Sequence, residues 1–385
     1  MSRNAIPLSI ICLSTIGCIV LWLTNKPAEE EQNQNKGLLA LTRSVLSPGQ
    51  HSNAKCTRQL QIWTDKRIGD YSSKPHVVRC ASVPCDSMIV ANNNISTTRV
   101  SDAVLLHPKT IWSWKDMHRA RPRGQKWIFY GRDNPARTEM RIIPPEEYRD
   151  TSYDYIMSFR KGSDFSAEYG IYDETKPEVM ESDSRNWADN RSGLVVWIET
   201  DCRSTSWKRT DFVKQLQSII SVDTFGDCGD KESCPTGSSC EAKLKTYKFY
   251  LSLENSRCRD FITQDFFYSL SIGVVPIVSG PPRIDYERVA PPDSFIHIDD
   301  FPSVQALAYH IDLLNKNDNM YNRYFEWKKL GSVVTVEEEV LLAPENMCQI
   351  FERMHIDEMR ASVGLYKRPE MPVWTEWLFG SCSAG

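Results

Sequence analysis

Short apolar runs recur along the chain and are separated by polar or amphipathic stretches. Eight of them have the length of a buried strand, and two, Val195–Ile198 and Val274–Val278, are apolar at nearly every position. Strands that are apolar on both faces are typical of parallel sheets covered by helices on both sides. The predicted strands are Leu60–Thr64, Ala103–His107, Trp127–Tyr130, Tyr155–Phe159, Leu194–Glu199, Phe249–Leu253, Val274–Val278 and Phe295–Ile298.

The stretches between the strands predict helices and divide the chain into domains. The clearest helical stretches are Lys208–Ser221, Ile262–Ile272, Val304–Asn315 and Tyr321–Lys329. The polar segment Glu174–Ser192 separates two groups of strands, so we predict two α/β domains, over residues 57–175 and 190–330. Residues 331–385 are predicted to form a C-terminal helix and tail.

The amino-terminal segment has the pattern of a membrane anchor. No charged side chain occurs in residues 5–24, and a helix of that length covers about 30 Å, the thickness of the hydrocarbon core of a bilayer. Arg3 precedes this span, so the positive-inside rule places residues 1–4 in the cytosol and the rest of the chain in the lumen. A cleaved signal peptide is the alternative, but the long apolar span favours an uncleaved anchor. Residues 25–56 are polar and predict an extended stem.

Composition and cysteine content narrow the class of protein. Hydrophobic residues make up 41% and charged residues 25% of the 385 positions, as in globular proteins, and the net charge of −4 excludes a dedicated nucleic-acid binder. Of the 12 cysteines, Cys12 and Cys18 lie in the apolar span; the rest favour an oxidising compartment and disulfides whose connectivity the sequence leaves open. Two N-glycosylation sequons, at Asn94 and Asn190, agree with that location.

A luminal, membrane-anchored protein with two α/β domains has the layout of a sugar-transferring enzyme of the secretory pathway. Many such enzymes bind the donor diphosphate through a divalent metal held by Asp-x-Asp, and this sequence contains no such triplet. The other class neutralises the diphosphate with Arg, Lys and helix N-termini. We therefore expect no required cofactor, with stimulation by Mn²⁺ or Mg²⁺ left open.

One segment, Tyr247–Phe301, closely resembles the donor-binding signature of the α-1,3-fucosyltransferases, glycosyltransferase family 10. The resemblance extends upstream through Trp197–Arg203 and Val222–Gly226, and downstream into Tyr321–Trp327. It implies a GT-B fold, in which two Rossmann-like domains are present and the C-terminal one mainly holds the nucleotide sugar. It also implies GDP-fucose as the donor, a GlcNAc-containing glycan as the acceptor and inversion at the anomeric carbon.

The resemblance assigns roles to three residues. Arg209, near the start of a predicted helix, matches the family's arginine that contacts the donor diphosphate. Asn255 matches an asparagine beside the nucleotide; without the family, Glu254-Asn255 is an ordinary turn. Asp133, which follows the strand Trp127–Tyr130, matches the carboxylate that acts as general base, although its side chain is shorter than the family's glutamate by one C–C bond of about 1.5 Å.

The chain departs from the family at Phe261–Asp265, where the family typically has Tyr-(Ile/Val)-Thr-Glu-Lys. Phe261 replaces the tyrosine, and Gln264 replaces a glutamate that binds the ribose hydroxyls but can still accept hydrogen bonds. Asp265 reverses the charge of a lysine that binds the phosphates; at about 5 Å and an effective dielectric constant of about 20, that reversal costs on the order of 5 kcal/mol. Lys248 and Arg259 are the nearby cations that could compensate.

The cysteine pattern near the C-terminus also differs. The family commonly has Cys-x-x-Cys where this chain has Cys348–Phe351, and Cys382 is one candidate for the missing partner of Cys348. The aromatic residues of the same segment, Trp374, Trp377 and Phe379, are expected to be buried or to lie in an interface.

These inferences lead to one main hypothesis and two alternatives. We expect a single-pass type II Golgi membrane enzyme that transfers L-fucose from GDP-fucose to a GlcNAc hydroxyl of a glycoprotein or glycolipid glycan in α-1,3 linkage. Asp133 would be the base, Arg209 would stabilise the departing GDP and Asn255 would help to seat the nucleotide. The first alternative is a catalytically weak or inactive homologue that binds a glycan or a partner, because Gln264-Asp265 replaces Glu-Lys. The second is a transferase that uses another nucleotide sugar.

Overall fold

The computed structural model describes residues 56–64, 74–107, 110–133, 136, 145, 147, 153–202, 205–231, 238–366, 377 and 380–382. The predicted cytosolic tail, the predicted membrane anchor and nearly all of the predicted stem lie outside these ranges. Among the residues that are described, no helix is both long enough and apolar enough to cross a membrane.

The first sheet consists of β1 (Thr57–Trp63), β2 (His76–Val78), β3 (Asp86–Ala91), β4 (Ala103–Leu106), β5 (Lys126–Gly131), β6 (Tyr155–Ser158) and β7 (Phe165–Ser166). The strands lie in the order β2-β3-β1-β4-β5-β6-β7, and β2 is the one antiparallel strand among them. Every residue of β4 and β6 is buried. The sheet is therefore covered on both faces, as the apolar runs predicted.

The second sheet consists of β9 (Gly193–Ile198), β10 (Val222–Phe225), β11 (Tyr247–Leu253), β12 (Val275–Ser279) and β13 (Ile296–His297). All five strands are parallel and lie in the order β10-β9-β11-β12-β13. A separate antiparallel pair is formed by β8 (Gly170–Asp173) and β14 (Ser332–Thr335).

Helices connect these strands and cover the sheets. The helices are α1 (Ile95–Thr98), α2 (Trp114–Ala120), α3 (Arg209–Gln217), α4 (Ser238–Leu244), α5 (Gln264–Ser271), α6 (Arg283–Glu287), α7 (Val304–Asn315), α8 (Asp318–Asn322), α9 (Glu338–Leu341) and α10 (Cys348–Ser362). Two 3₁₀ helices cover Ile298–Asp300 and Arg323–Lys329.

All eight predicted strands coincide with observed strands, because each is a buried apolar run. The predicted helices Lys208–Ser221, Ile262–Ile272 and Val304–Asn315 correspond to α3, α5 and α7. The fourth predicted helical stretch, Tyr321–Lys329, is helical throughout: it comprises the last two residues of α8 and the 3₁₀ helix Arg323–Lys329. Strands such as β2, β7 and β10 escaped prediction because they are only two to four residues long.

The C-terminal segment packs on the first sheet. Leu341, Met347 and Phe351, from α9, α10 and the turn between them, are buried in one apolar cluster with Leu60 of β1 and Ile128 of β5. The stretch predicted as a helix and tail therefore contributes to the core of the amino-terminal half of the chain.

Disulfides connect distant parts of the chain. The described pairs are Cys56–Cys85, Cys80–Cys348, Cys202–Cys228 and Cys258–Cys382. The candidate pairing of Cys348 with Cys382 was wrong. Because α10 packs on the first sheet, Cys348 meets Cys80 there, and Cys382 pairs with Cys258 in the loop after β11.

Strand order determines where each sheet can bind a ligand. In the second sheet, β9 lies between β10 and β11, and in the first sheet β1 lies between β3 and β4. Chain connections leave such a position in opposite directions, which opens a crevice at the carboxyl ends of the strands. The residues that follow β9 and β11, and those that follow β1 and β4, are therefore the candidate ligand-binding positions.

Candidate active site

The loops that follow β9 and β11 lie side by side at the carboxyl edge of the second sheet. The Ser206 amide donates to the Asn255 carbonyl at 2.8 Å, and Trp207 Nε1 donates to the Glu254 carbonyl at 2.8 Å. The Arg257 amide adds a bond to Ser206 Oγ at 3.3 Å. We call this region the donor crevice and define it by residues 199–202, 205–209 and 254–265.

Arg209 lies beneath the donor crevice and is only 2% exposed. Its Nη1 lies 2.6 Å from Glu199 Oε2 and donates to the Leu253 carbonyl at 2.8 Å, and Nη2 donates to the Asp201 carbonyl at 2.6 Å. The guanidinium thus ties the ends of β9 and β11 together. The positive charge of Arg209 therefore lies at the predicted edge of the sheet. Most of the N–H donors of its guanidinium, however, already bond to protein oxygens.

Asp265, the second residue of α5, is exposed, and its carboxyl interacts with Glu199, Arg209 and Tyr250. Desolvation by these surroundings and the Glu199 carboxylate raise the pKa of Asp265 to about 6, against the opposing effects of Arg209 and of a hydrogen bond with Tyr250. The structure therefore places Asp265 in the crevice, and the carboxyl gains a proton more easily than an ordinary aspartate.

Glu254 is buried directly after β11. Its Oε1 accepts from the Thr263 amide at 2.7 Å and from Thr263 Oγ1 at 3.0 Å, so it satisfies the residue that precedes α5. Burial is the main cause that raises the pKa of Glu254 to about 8, and Asp265 adds to the shift. The Glu254 carboxyl is thus mostly protonated at neutral pH.

Two other residues of Phe261–Asp265, the segment that differs from the family pattern, contact protein side chains. Phe261 is buried and packs edge to face on Phe159, with ring centroids 5.2 Å apart. Gln264 Nε2 donates to Glu337, which precedes α9. Phe261 therefore belongs to the packing between the two sheets' loops, and Gln264 lies beside the donor crevice with its amide nitrogen engaged.

In the structure, Lys248 lies outside the donor crevice. Lys248 lies near the amino end of β11, and at about 3.3 Å of rise per residue it is roughly 16 Å from Leu253 at the other end. Its Nζ donates to the Asn315 carbonyl at the end of α7, at 2.9 Å. Neighbours in sequence on one strand need not share an edge of the sheet, which is why this assignment was wrong.

The two arginines of the loop after β11 contact different groups. Arg259 forms two bonds to Asp285, of 2.7 and 2.9 Å, which commits it to a carboxylate. Arg257 is 30% exposed, lies 5.4 Å from the Trp207 ring and 3.5 Å from Asp299 Oδ1. Arg257 therefore lies in the donor crevice beside the Trp207 ring, whereas Arg259 pairs with Asp285.

Asp133 lies at the carboxyl edge of the first sheet, two residues after β5 ends, and 43% of its side chain is exposed. Its Oδ2 lies 3.7 Å from Nε2 of His107, the first residue after β4. The His107 and Tyr130 rings are 5.7 Å apart. The predicted base is thus accessible and has an imidazole beside it.

Tyr169 and Arg132 connect the two halves of the site. Arg132 is buried and donates to the carbonyls of Ala167, Glu168 and Val336, while Tyr169 Oη donates to the Arg132 carbonyl. Burial raises the pKa of Tyr169, Arg132 opposes this, and the carboxylates of Asp133 and Glu254 both raise it further. The Tyr169 ring also lies 6.4 Å from the ring of Phe261 in the donor crevice, so Tyr169 contacts both the residue before Asp133 and the crevice.

Three residues of this region were not predicted. His107 ended a predicted strand, and its position at the carboxyl edge was the available signal. The sequence alone indicates a turn at Glu254 and contains no signal for Arg257, because the importance of both residues depends on the neighbouring loop after β9. Among the described residues, no group of three or more His, Cys, Asp or Glu side chains could hold a metal ion.

Two cavities lie near these residues, and the smaller one shares Asp260 and Ile262 with the donor crevice. One of about 360 Å³ is lined by Phe159, Glu168 and Arg288, among others. A more open groove of about 580 Å³ runs along β8 and shares Glu168 and Arg288 with it. Neither is lined by a residue predicted as catalytic or donor-binding.

Sequence profiles of a known family match both halves of the chain. The profile described as "Fucosyltransferase, N-terminal" matches residues 55–170, and the one described as "Glycosyltransferase family 10 (fucosyltransferase) C-term" matches residues 188–368. Together they include Asp133 and the whole donor crevice.

Curated relatives show the same similarity. The chain is 32% identical to alpha-(1,3)-fucosyltransferase 7 of Bos taurus over 68% of this chain and 70% of that protein. It is 33% identical to 4-galactosyl-N-acetylglucosaminide 3-alpha-L-fucosyltransferase 9 of Mus musculus, over 60% and 61%, and 32% identical to alpha-(1,3)-fucosyltransferase 4 of Bos taurus, over 55% and 52%. The chain thus spans between about half and seven-tenths of these relatives.

A crystal structure of an alpha1,3-fucosyltransferase has the same fold. The TM-score is 0.51 at 14% identity, and the match covers 85% of this chain and 96% of the other.

Proposed function

The chain belongs to glycosyltransferase family 10, and on that premise we propose that it transfers L-fucose from GDP-fucose to a GlcNAc hydroxyl of a glycan in α-1,3 linkage. The main support is that Tyr169 links an accessible carboxylate to the donor crevice: its hydroxyl donates to the carbonyl of Arg132, next to Asp133, and its ring lies 6.4 Å from the Phe261 ring of the crevice. We assign the mostly parallel first sheet and the parallel second sheet to the two Rossmann-like domains of a GT-B fold. The acceptor would bind at the first sheet and the donor at the second.

In this mechanism Asp133 removes the proton from the acceptor hydroxyl. The acceptor oxygen attacks C1 of fucose from the face opposite GDP, the C1–O bond to the diphosphate breaks, and the configuration inverts. The leaving diphosphate carries the electron pair, so nearby positive charge lowers the barrier. A fixed, accessible carboxylate is the group that this step requires.

Positive charge in the donor crevice comes from two arginines in this proposal. Arg257 lies at the surface of the crevice and contacts the diphosphate directly. Arg209 acts from beneath, since its guanidinium already bonds Glu199 and two carbonyls. Asn255 seats the nucleotide, and Gln264 offers its amide oxygen to the ribose. Asp265 opposes the diphosphate and weakens donor binding when it is ionised.

We further propose a Golgi location with the catalytic part in the lumen, anchored by residues 5–24, and no required metal, with stimulation by Mn²⁺ or Mg²⁺ open. The disulfides fit an oxidising lumen. Asn94 and Asn190 are both exposed, so both sequons are accessible to glycosylation. When the protein is produced in mammalian cells, partial digestion with an N-glycosidase should reveal the loss of two glycans as two steps in electrophoretic mobility. Asn94→Gln and Asn190→Gln should each remove one of these steps.

The deciding experiment is a transfer assay with the full-length protein in detergent. Labelled GDP-fucose is supplied with a panel of GlcNAc-bearing acceptors, with and without EDTA, and the linkage of the product is determined by NMR. We expect an α-1,3-fucosylated product whose formation survives EDTA and is lost in Asp133→Asn. Absence of transfer to every acceptor contradicts the proposal.

The negative charge of Asp265 favours a second candidate, a homologue that binds a glycan or partner without turnover. The two candidates differ in a double variant, Gln264→Glu with Asp265→Lys. If the natural protein is inactive and the double variant transfers fucose, the second candidate is correct. If the natural protein already transfers fucose, the second candidate is wrong. Binding of a different nucleotide sugar, without response to GDP-fucose, would indicate another donor.

A further inference from the structure

His107 and Asp133 meet at the carboxyl edge of the first sheet. They follow β4 and β5, which are parallel neighbours with Leu106 opposite Phe129. β4 borders the position where the chain connections of this sheet diverge, so His107 lies in the crevice where the first sheet is expected to bind a ligand. A titratable ring therefore lies beside the carboxylate that the proposed function uses as base.

The backbone and the ring of His107 each contact neighbouring residues. The His107 carbonyl accepts from the Thr110 amide at 3.0 Å and from Thr110 Oγ1 at 2.7 Å, which fixes the backbone. The ring lies near the Tyr130 ring, whose hydroxyl donates to Glu338 at 2.8 Å. His107 is 25% exposed, and its Nε2 is the ring nitrogen that faces Asp133 Oδ2, at 3.7 Å.

Among the described residues, charged and titratable groups near this pair lie on or next to β5, α9 and β8. On β5 and directly after it these are Tyr130, Arg132 and Asp133, on α9 it is Glu338, and before β8 it is Tyr169. Glu338 reaches the pair through Tyr130, and Arg132 is bonded to backbone carbonyls. Asp133 is the carboxylate that faces Nε2.

We propose that His107 is a positioning residue for Asp133, which donates from Nε2 to Oδ2 and so leaves Oδ1 directed at the acceptor hydroxyl. This inference rests on the proposed function. The separation of 3.7 Å is longer than a hydrogen bond, and such contacts commonly tighten when substrate completes the site. Orientation matters more here than for a glutamate, because the shorter aspartate has less freedom to reach the hydroxyl.

The proton balance of the step is simple. The acceptor O–H bond breaks and its proton moves to Asp133 Oδ1, while the acceptor oxygen forms the bond to C1 of fucose and GDP leaves with the electron pair. His107 keeps its Nε2 proton throughout. A second proton on the imidazole would place a full positive charge beside Asp133, stabilise its carboxylate and make it a weaker base.

The test compares His107→Gln and His107→Ala with the natural protein at saturating GDP-fucose. The glutamine amide can donate like Nε2 but does not titrate, whereas alanine cannot donate. We expect kcat to fall on the order of 10- to 100-fold in His107→Ala, as for a catalytic group displaced by about 1 Å, and to be largely retained in His107→Gln. The KM for GDP-fucose should stay unchanged in both. His76→Gln on β2 is the matched control.

The pH profile of kcat provides a readout that a structural role would not change. Protonation of His107 should add to the loss of activity on the acid side that protonation of the base Asp133 causes, so the acid limb should differ between the natural protein and His107→Gln. Equal kcat in His107→Ala and the natural protein overturns the assignment, as does an unchanged acid limb in His107→Gln. Absence of transfer by the natural protein overturns the proposed function and this inference together, whereas the other two outcomes leave the proposed function intact.

Discussion

Asp265 carries a negative charge in the crevice that is proposed to bind a diphosphate. Its surroundings and Glu199 raise the pKa of its carboxyl to about 6, so the charge is present at neutral pH and largely lost in mildly acidic conditions. A bound anion favours the protonated carboxyl. Donor binding should therefore strengthen as the pH falls through about 6.

Asp265→Asn should bind GDP-fucose more tightly than the natural protein at pH 7.5, on the order of 10-fold, because a repulsive charge is removed. The variant should also show little pH dependence, since both phosphates of GDP-fucose stay ionised over this range. Isothermal titration between pH 5.5 and 7.5 measures both effects. Equal affinities at pH 7.5 would show that Asp265 does not face the diphosphate.

Arg209 has a structural role at the residue scale in addition to its electrostatic one. Arg209→Met leaves the Glu199 carboxylate without its cation in a largely buried position, and breaking a buried pair in this way typically costs about 3–5 kcal/mol. Chemical denaturation should show this loss. Arg99→Met, at an exposed position, is the control, and Arg209→Met with Glu199→Gln should recover part of the loss.

At the scale of elements, α5 begins at the donor crevice and depends on Glu254. The buried carboxyl accepts from Thr263, and its pKa is raised from 4.5 to about 8, mainly by burial. Between these two values the folded chain keeps the proton that the unfolded chain has lost. The contribution of Glu254 to stability is therefore greatest in acid and declines as the pH rises toward 8.

Glu254→Gln should remove this pH dependence while keeping an oxygen for Thr263. The melting temperature of the variant, relative to that of the natural protein, should rise from pH 5 to pH 8, because one pH unit corresponds to about 1.4 kcal/mol for a single proton. Differential scanning calorimetry at three pH values measures the trend. A constant difference would contradict the burial of Glu254 as a protonated group.

Secondary-structure elements could be predicted from the sequence where burial alone determined the pattern of apolar residues. The apolar runs of β9 and β12 identified strands because burial on both faces leaves few alternatives. The residues after β11 could be located at a carboxyl edge by order alone. Lys248 was misassigned because distance in sequence along a strand does not tell which edge of the sheet a side chain occupies, and His107 was missed because its partner follows a different strand.

At the scale of the whole molecule, the two ends of the described chain are held together covalently. Cys80 and Cys348 are 268 residues apart and join β2–β3 to α10 on the first sheet, whereas Cys56 and Cys85 are 29 residues apart. A longer closed loop restricts the unfolded chain more strongly. The long-range disulfide should therefore contribute more to stability.

Replacing Cys80 and Cys348 by serine should lower the free energy of unfolding by about 2 kcal/mol more than replacing Cys56 and Cys85, as the chain-entropy relation predicts. Hydrogen exchange should show the loss of protection concentrated in α10. Equal losses for the two pairs would indicate that packing, and not loop closure, dominates the stability of the C-terminal segment.

The sequence by itself determined the α/β class, the eight main strands and the family, because buried apolar runs and a long donor-binding signature are local patterns. Tertiary structure decided which residues meet: Cys348 with Cys80, Glu199 with Arg209, and His107 with Asp133. These contacts depend on strand order and on the packing of α10, which bring together positions far apart in the chain. Local pattern carries no information about such neighbours, and the chemistry of the site depends on them.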